Sequence, residues 1–307
     1  MSKVAVVGSI NMDLVVRSPR FALAGETILG HAFHTIPGGK GANQAVAARR
    51  MGGEVAMIGR VGDDEFGLTL SRNLATEGIN TECLQITAAE STGVALITVD
   101  DSGENTIIVV PGANGRLTVE DIEEAHGLIT DADILLMQLE IPLPVVERAA
   151  QIASESGVTV ILNAAPARAL AGPLLSAVDY LVVNETEALL VAGTTSGSPE
   201  EAARTLHSTG VRNVVVTLGP EGSLLVPSEG ASVSVPAYRV RPVDTTAAGD
   251  GFAGAFAVAL ADGAPAPEAL RWGNAEGALA VTREGAQPSL PTRSEVERFM
   301  RDRQQPG

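Results

Sequence analysis

The sequence predicts an α/β fold, a three-layer sandwich with a central, mostly parallel sheet plus a small β-sheet lid, and three observations predict it. Short β-branched runs alternate with helical segments along the 307 residues, a pattern that argues for parallel strands joined by crossover helices. The runs are near-continuously apolar, as in Val4-Ala-Val-Val7 and Val214-Val-Val216, which suits strands covered on both faces. Two stretches interrupt the alternation with extended sequence and no helix, and these form the lid.

In chain order, a strand is expected over 4–10, followed by the first insertion, 11–37, extended at Leu14-Val-Val-Arg17 and over 27–36. A helix starts near Lys40, a strand covers 55–61, and a helix runs through Phe66-Gly-Leu-Thr-Leu70. The second insertion, 92–111, has two strand-like runs flanking Asp101-Ser-Gly-Glu104, where Gly103 can supply the positive φ of a hairpin loop. Strands at 134–139, 158–163, 180–184 and 214–218 follow, then an apolar helix ending near Ala261 and a polar tail from Arg301. With 45% hydrophobic residues, 1–307 is read as a single domain. Ligands collect at the carboxyl ends of parallel strands, and a lid there would keep water from a reactive phosphate.

Composition excludes several classes. Thirty-seven acidic against 21 basic residues leave a net charge of −16, which repels nucleic acid and anionic membranes. Cys83 is the single cysteine, so no internal disulfide forms, and a reducing compartment is expected. The first apolar run is broken by Asn11 and Asp13, too soon for a signal-peptide core, and the uncharged run over 251–261 is far short of a ~20-residue membrane span. A cytoplasmic protein is expected. His31, His34, His126 and His207 show no metal-ligand spacing and are read as non-catalytic; Trp272 and the six phenylalanines are read as core or interface.

Two glycine-rich stretches carry the candidate chemistry. Pro37-Gly-Gly-Lys-Gly-Ala-Asn-Gln-Ala45 is not a phosphate-binding P-loop, because Gly41 stands after Lys40 where a metal-binding hydroxyl is required. Nor is the turn after the first strand a dinucleotide fingerprint, having one glycine, Gly8, where three are wanted. In Asp244-Thr-Thr-Ala-Ala-Gly-Asp250 the small residues Ala247, Ala248 and Gly249 let amide N–H groups at a helix start approach an oxyanion. Asp250 in that turn is either a helix cap or a carboxylate that takes the proton of an attacking hydroxyl. The stretch alone leaves both open.

PGGKGANQAVAARRMG and DTTAAGDGFAG resemble the two signatures of the ribokinase-like carbohydrate kinases, in order and at the expected separation. The resemblance extends from VVGSINMDLV through MQLEIP, NETEA, TLGPEG and VTREGAQPSLP, almost the whole chain. It implies ATP-dependent phosphorylation of D-ribose at its 5-hydroxyl, with Asp250 as base and a backbone anion hole at 247–250. Deoxyribose, a nucleoside or another furanose is the alternative substrate, and a non-catalytic sugar-binding protein of the same fold the alternative class.

Residue by residue, the resemblance places the sugar at Asn11, Met12, Asp13, Gly39, Lys40, Gly41, Ala42, Asn43 and Glu140, with Asp250. Carboxylates and amides can bind adjacent sugar hydroxyls as acceptors and donors. It places the nucleotide at Asn184, Glu187, Thr217, Leu218, Gly219, Pro220, Glu221 and Gly222, with Gly249 and Asn274, and has Glu187 hold Mg²⁺ through water. Helix capping is the structural reading of Asn184 and Glu187, and packing or capping that of Asn274. The resemblance also implies a K⁺ or other monovalent-cation site made by Asp244, Thr246, Ala280, Arg283, Gly285 and Ser289. The sequence departs from the family at Gly251, where threonine is common, and at Ala164, where proline is common. Exposed lid edges predict a homodimer through the lid sheets.

Overall fold

The computed structural model describes residues 2–304. Thirteen strands form two sheets: β1 (Lys3–Val7), β2 (Asn11–Arg17), β3 (Ala32–Gly38), β4 (Glu54–Gly62), β5 (Leu84–Thr87), β6 (Gly93–Val99), β7 (Asn105–Val110), β8 (Ile134–Met137), β9 (Thr159–Asn163), β10 (Tyr180–Asn184), β11 (Asn213–Thr217), β12 (Gly222–Pro227) and β13 (Val233–Pro236). The nine-stranded sheet has the order β13-β12-β11-β10-β9-β8-β1-β4-β5. It is parallel from β5 to β11; β12 and β13 add as antiparallel edge strands.

Alternate residues of each central strand enter two cores. Val4 and Val6 point to one cluster and Ala5 and Val7 to the other; Leu136 and Ile161 likewise part from Leu135 and Val160. Burial on both faces explains the unbroken apolar runs. Helices Lys40–Arg50, Ala248–Ala261 and Ala266–Ala280 cover one face, and Leu143–Glu155 and Pro199–His207 lie on the other.

The lid is a four-stranded sheet, β3-β2-β6-β7. β2 pairs antiparallel with β3 and parallel with β6, beginning at Asn11 opposite Gly93, so the two insertions meet over the end of β1. Gly103 turns the β6–β7 hairpin with φ +86°, as the sequence predicts. His34 lies in β3, and His31 Nε2 comes within 3.3 Å of Asp101 Oδ1 across the lid.

Several boundaries differ from expectation. β1 stops at Val7, three residues early, because Gly8 leaves the ladder to pass beneath Gly41: a Cβ on Gly41 would stand 2.6 Å from Gly8 C. β8 stops at Met137; beyond it the Gln138 side chain reaches Gln44, and Leu139 N bonds Ala165 O at 3.0 Å instead. The lid strand expected over 27–36 begins only at Ala32. Cys83 is half-buried. Among the described residues, no helix is long and apolar enough to cross a membrane.

Candidate active site

The carboxyl ends of β1, β8, β9 and β10, the lid and the start of the Ala248–Ala261 helix converge on one cleft. Asn11 and Asp13 reach it from β2, Lys40 and Asn43 from the first helix, and Glu140 from the loop after β8. Gly39 adopts φ +87°, and a Cβ there would lie 2.6 Å from Asn11 N. At Gly38 a Cβ would fall 2.3 Å from Asp13 Oδ2. The glycines of this turn therefore admit the strand and its carboxylate as well as turning the chain.

Asp250 is not a cap. The N-cap is Ala247, which makes no side-chain cap bond and sits in the left-handed region at φ 60°, ψ 5°. Asp250 is 6% exposed and turns toward the first helix. Its Oδ2 accepts from Asn43 Nδ2 at 2.9 Å and its Oδ1 from Gln44 Nε2 at 3.0 Å. Two amide bonds fix the carboxylate's orientation, and each oxygen keeps a lone pair free. The left-handed Ala247 costs about 1–2 kcal/mol against an ordinary conformation and opens the helix start. Among the described residues, the N–H groups of Gly249 and Asp250 meet no acceptor, as an anion hole requires.

Charge concentrates here. The Asp250 carboxylate first, then Glu140, Glu187 and Asp13, hold the half-buried Lys40 ammonium above its ordinary range, against the opposing effect of burial. Burial, then the charges of Glu140 and Asp250, raise the Asp13 carboxyl to about 7, with Lys40 opposing. Glu140 Oε2 accepts from Ser9 Oγ at 2.5 Å and from Lys40 N at 3.3 Å. Four carboxylates thus surround one ammonium, a surplus that suits hydroxyl-bearing ligands and needs a cation before a polyphosphate can enter.

Sequence reasoning missed the supports. Gln138 Nε2 donates to Gln44 Oε1 at 2.7 Å, and Gln44 Nε2 donates to Asn163 Oδ1 at 3.0 Å as well as to Asp250. Asn163 Nδ2 in turn donates to Val182 O at 3.1 Å, tying this relay to β10. Asn114 donates to Asn11 Oδ1 at 2.7 Å, and its Oδ1 accepts from Ile10 N at 2.9 Å. The available signal was polar residues at the ends of otherwise apolar strands, Gln138 and Asn163 among them.

The candidate nucleotide residues lie further along the strand ends. Asn184 and Thr217 are register partners on β10 and β11. Leu218, Gly219, Pro220 and Glu221 make a short turn into β12, closed by Leu218 N to Gly222 O at 2.8 Å, with positive φ at Gly219 and Gly222. Asn184 and Glu187 form a reciprocal capping box, each backbone N–H bonded to the other's side chain at 2.8 Å. The Asn184 N–H engages Glu187 Oε2 alone, and among the described residues Glu187 Oε1 has no hydrogen-bond partner. Buried Asn274 donates to Val235 O at 3.0 Å and Pro236 O at 3.3 Å, which fastens β13.

Three of the six candidate cation-site residues are joined directly. Asp244 Oδ1 accepts from Thr246 N at 2.9 Å and Thr246 Oγ1 at 2.7 Å, and Oδ2 accepts from Gly285 N at 2.9 Å. Burial raises the Asp244 carboxyl, but these donors outweigh it and hold the group below its ordinary range. Ala280 O accepts from Arg283 N at 3.1 Å, and Ser289 Oγ donates to Ala286 O at 2.7 Å. The Arg283 guanidinium points to Glu295 at 2.6 Å, so only its backbone is available to an ion.

A parallel α/β core, a β-sheet lid and open amide N–H groups beside an oriented carboxylate are the arrangement expected of a phosphotransferase acting on small hydroxyl compounds. The profile of the pfkB family carbohydrate kinases matches residues 1–293, and the chain belongs to that family. Over 298 residues it is 44% identical to the ribokinase of Haemophilus influenzae, covering 96% of this chain and 97% of that one. The ribokinase of Thermotoga maritima superposes with a TM-score of 0.91 at 38% identity, over 98% of this chain and all of that one (100%). The Arabidopsis thaliana ribokinase, solved with ribose and ATP, has a TM-score of 0.90 at 33% identity, over 98% and 99% of the two chains.

Proposed function

We propose that the chain transfers the γ-phosphoryl group of ATP to the 5-hydroxyl of D-ribose. The observation that carries this reading is the placement of Asp250, oriented by Asn43 and Gln44 beside the open N–H groups of its own helix turn. The sugar oxygen attacks the γ-phosphorus, the bond to the β-phosphate oxygen breaks, and ADP leaves. The hydroxyl proton passes to Asp250. Amides of 247–250 stabilise charge on the transferring group, and Asn11, Asp13, Lys40 and Glu140 orient the sugar. The lid over the strand ends excludes water that would otherwise hydrolyse ATP. The relatives' ribose substrate and the four carboxylates of the cleft support a free sugar.

Mg²⁺, when bound with ATP, would neutralise phosphate charge. The residues fit it: the cleft has surplus negative charge, Glu187 keeps one carboxylate oxygen for a metal-bound water, and Mg²⁺ retains several waters. Among the described residues no group of three or more His, Cys, Asp or Glu forms a metal cage. An unpaired thiol at Cys83 and the use of ATP suit the cytoplasm, the compartment we assign.

A coupled ADP-release assay over pentoses, hexoses and nucleosides tests the substrate. D-ribose is expected to give the highest kcat/KM; a nucleoside or deoxyribose outranking it would replace this reading. The same assay tests the cation. An ion held by oxygens of 244–246 and 280–289 would brace the turn that makes the anion hole, where displaced donors cost ~10²–10³ in rate. K⁺ is therefore expected to raise kcat or ATP affinity over tetramethylammonium at equal ionic strength, which holds screening constant. Equal rates would remove the cation from the mechanism.

The lid edges supply the proposed partner, a second copy of the chain. β3 and β7 are unpaired edges, and they carry Phe33 at 60% and Ile108 at 64% exposure, with Ile107 and Val109 also exposed. Apolar edges of this kind are normally covered. Light scattering at assay concentration is expected to give a homodimer, and charged substitutions at Ile108 to dissociate it. A monomer would contradict the assignment.

A further inference from the structure

The helix that carries Asp250 is held on both sides by close contacts at glycines. Against the first helix, a Cβ on Gly254 would lie 2.6 Å from Ala47 Cβ and 2.8 Å from Gln44 O. On the other side, Gly273 abuts the Phe252 ring at 2.7 Å, and Gly277 abuts Ala248 O at 3.2 Å, both measured from an added Cβ. Between these two glycines stands Glu276. Its carboxyl lies directly on Gly251, where an added Cβ would fall 1.8 Å from Oε2. Glu276 is completely buried, at 0% exposure, and among the described residues neither of its oxygens has a hydrogen-bond partner.

A full charge in that place would be very costly, being desolvated, unpaired and close to Asp250. Burial first, then Asp250, push the Glu276 carboxyl well above its ordinary range; Arg50 and Arg283 oppose the shift without contacting it. Arg50 is already committed to Gln287 O, Leu290 O and Glu77, and Arg283 to Glu295. An uncharged acid packed on the Cα of Gly251 takes the volume that a side chain at 251 would need. The departure from the family at Gly251 thereby has a physical counterpart on the facing helix.

We propose that Glu276 is a positioning residue for phosphoryl transfer: its buried carboxyl, seated on Gly251, sets the height of the helix turn that presents Asp250 and the open amides beside it. The proposal rests on Asp250 acting as the base. Because displacement of a reacting group by about 1 Å can cost 10²-fold in rate, the contact acts on kcat rather than on sugar binding.

Four variants test it. Glu276→Ala is expected to lower kcat about tenfold with the ribose KM within about twofold, while Glu276→Gln, an uncharged isostere, keeps kcat within about threefold at neutral pH. Gly251→Ala, colliding with Glu276, is expected to lose at least ~10²-fold, and Gly251→Ala/Glu276→Ala to recover to the level of Glu276→Ala alone. A role in stability alone would shift Tm in Glu276→Ala and leave its kcat unchanged, overturning the proposal. Loss in Glu276→Gln equal to that in Glu276→Ala would overturn the uncharged state, and failure of the double variant to recover would overturn the contact. Should Glu276→Ala not fold, Gly251→Ala still decides: kcat and Tm both close to wild type in that variant would overturn the contact. The base assignment fails separately, if Asp250→Asn turns over normally; an inactive Asp250→Asn beside a normal Glu276→Ala sinks only the positioning role.

Discussion

Replacing Asp250 with asparagine is expected to lower kcat at least ~10²-fold, the lower end of what a positioned base contributes, while sugar binding and folding survive. Folding survives because the new amide meets Asn43, whose buried Oδ1 has no partner among the described residues and can turn to accept from it. Gln44 keeps the other oxygen as its acceptor. The steric frame therefore persists and only the proton acceptor is lost. Turnover by the coupled assay, together with ribose affinity by calorimetry, separates the two effects. Near-normal turnover in a folded variant would return Asp250 to a structural role.

The second large effect is expected at Asp13, and it depends on pH. With its carboxyl raised to about 7, Asp13 is neutral below that pH and a full acceptor for sugar hydroxyls above it. The ribose KM is expected to rise as pH falls from about 8 to about 6, by at most about tenfold per pH unit since one proton is involved. Asp13→Asn should flatten this dependence and raise KM by about 10–10²-fold, since hydrogen bonds to a charged group contribute about 1.5–3 kcal/mol. Stability should move the other way. The folded pKa lies above the ordinary value of 3.8, so the unfolded chain ionises first and folding stability declines as pH rises from about 4 to about 7. Asp13→Asn is thus expected to raise Tm at about pH 8 while weakening binding, a trade seen where sites hold strained charge. A wild-type KM constant across that range would remove Asp13 from the sugar site.

The parallel core was legible because burial on both faces writes itself into uninterrupted apolar runs such as those of β10 and β11. The lid was legible because no helix separates β2 from β3 or β6 from β7. The antiparallel pair β12 and β13 was not, since Ser223 and Ser234 dilute the pattern and no crossover helix marks the change of direction. At the site, Lys40, Asn43 and Asp250 stand in glycine-rich stretches that draw notice. Gln44, Gln138, Asn163 and Asn114 do not, because each is one polar residue on a separate element, and only the stacking of β1, β8 and β9 beside the first helix brings them together. Glu276 is harder still. In sequence it is one acid in an alanine-rich helix, and nothing local says that it faces a glycine on another helix.

Four contacts that build the cleft close long stretches of chain. Asn43 reaches Asp250 across 207 residues, Gln44 reaches Asn163 across 119, Asn11 meets Asn114 across 103, and Lys40 meets Glu140 across 100. Non-local pairings of this kind form late, after loop-closure entropy has been overcome. A partly folded intermediate that held only the amino-terminal half would carry Lys40 and Glu140 but no Asp250, and so no phosphotransfer. Recovery of enzymatic activity during refolding should coincide with the last step of chain assembly and lag behind the return of helical signal. Activity in this protein is thereby a reporter of global, not local, native structure.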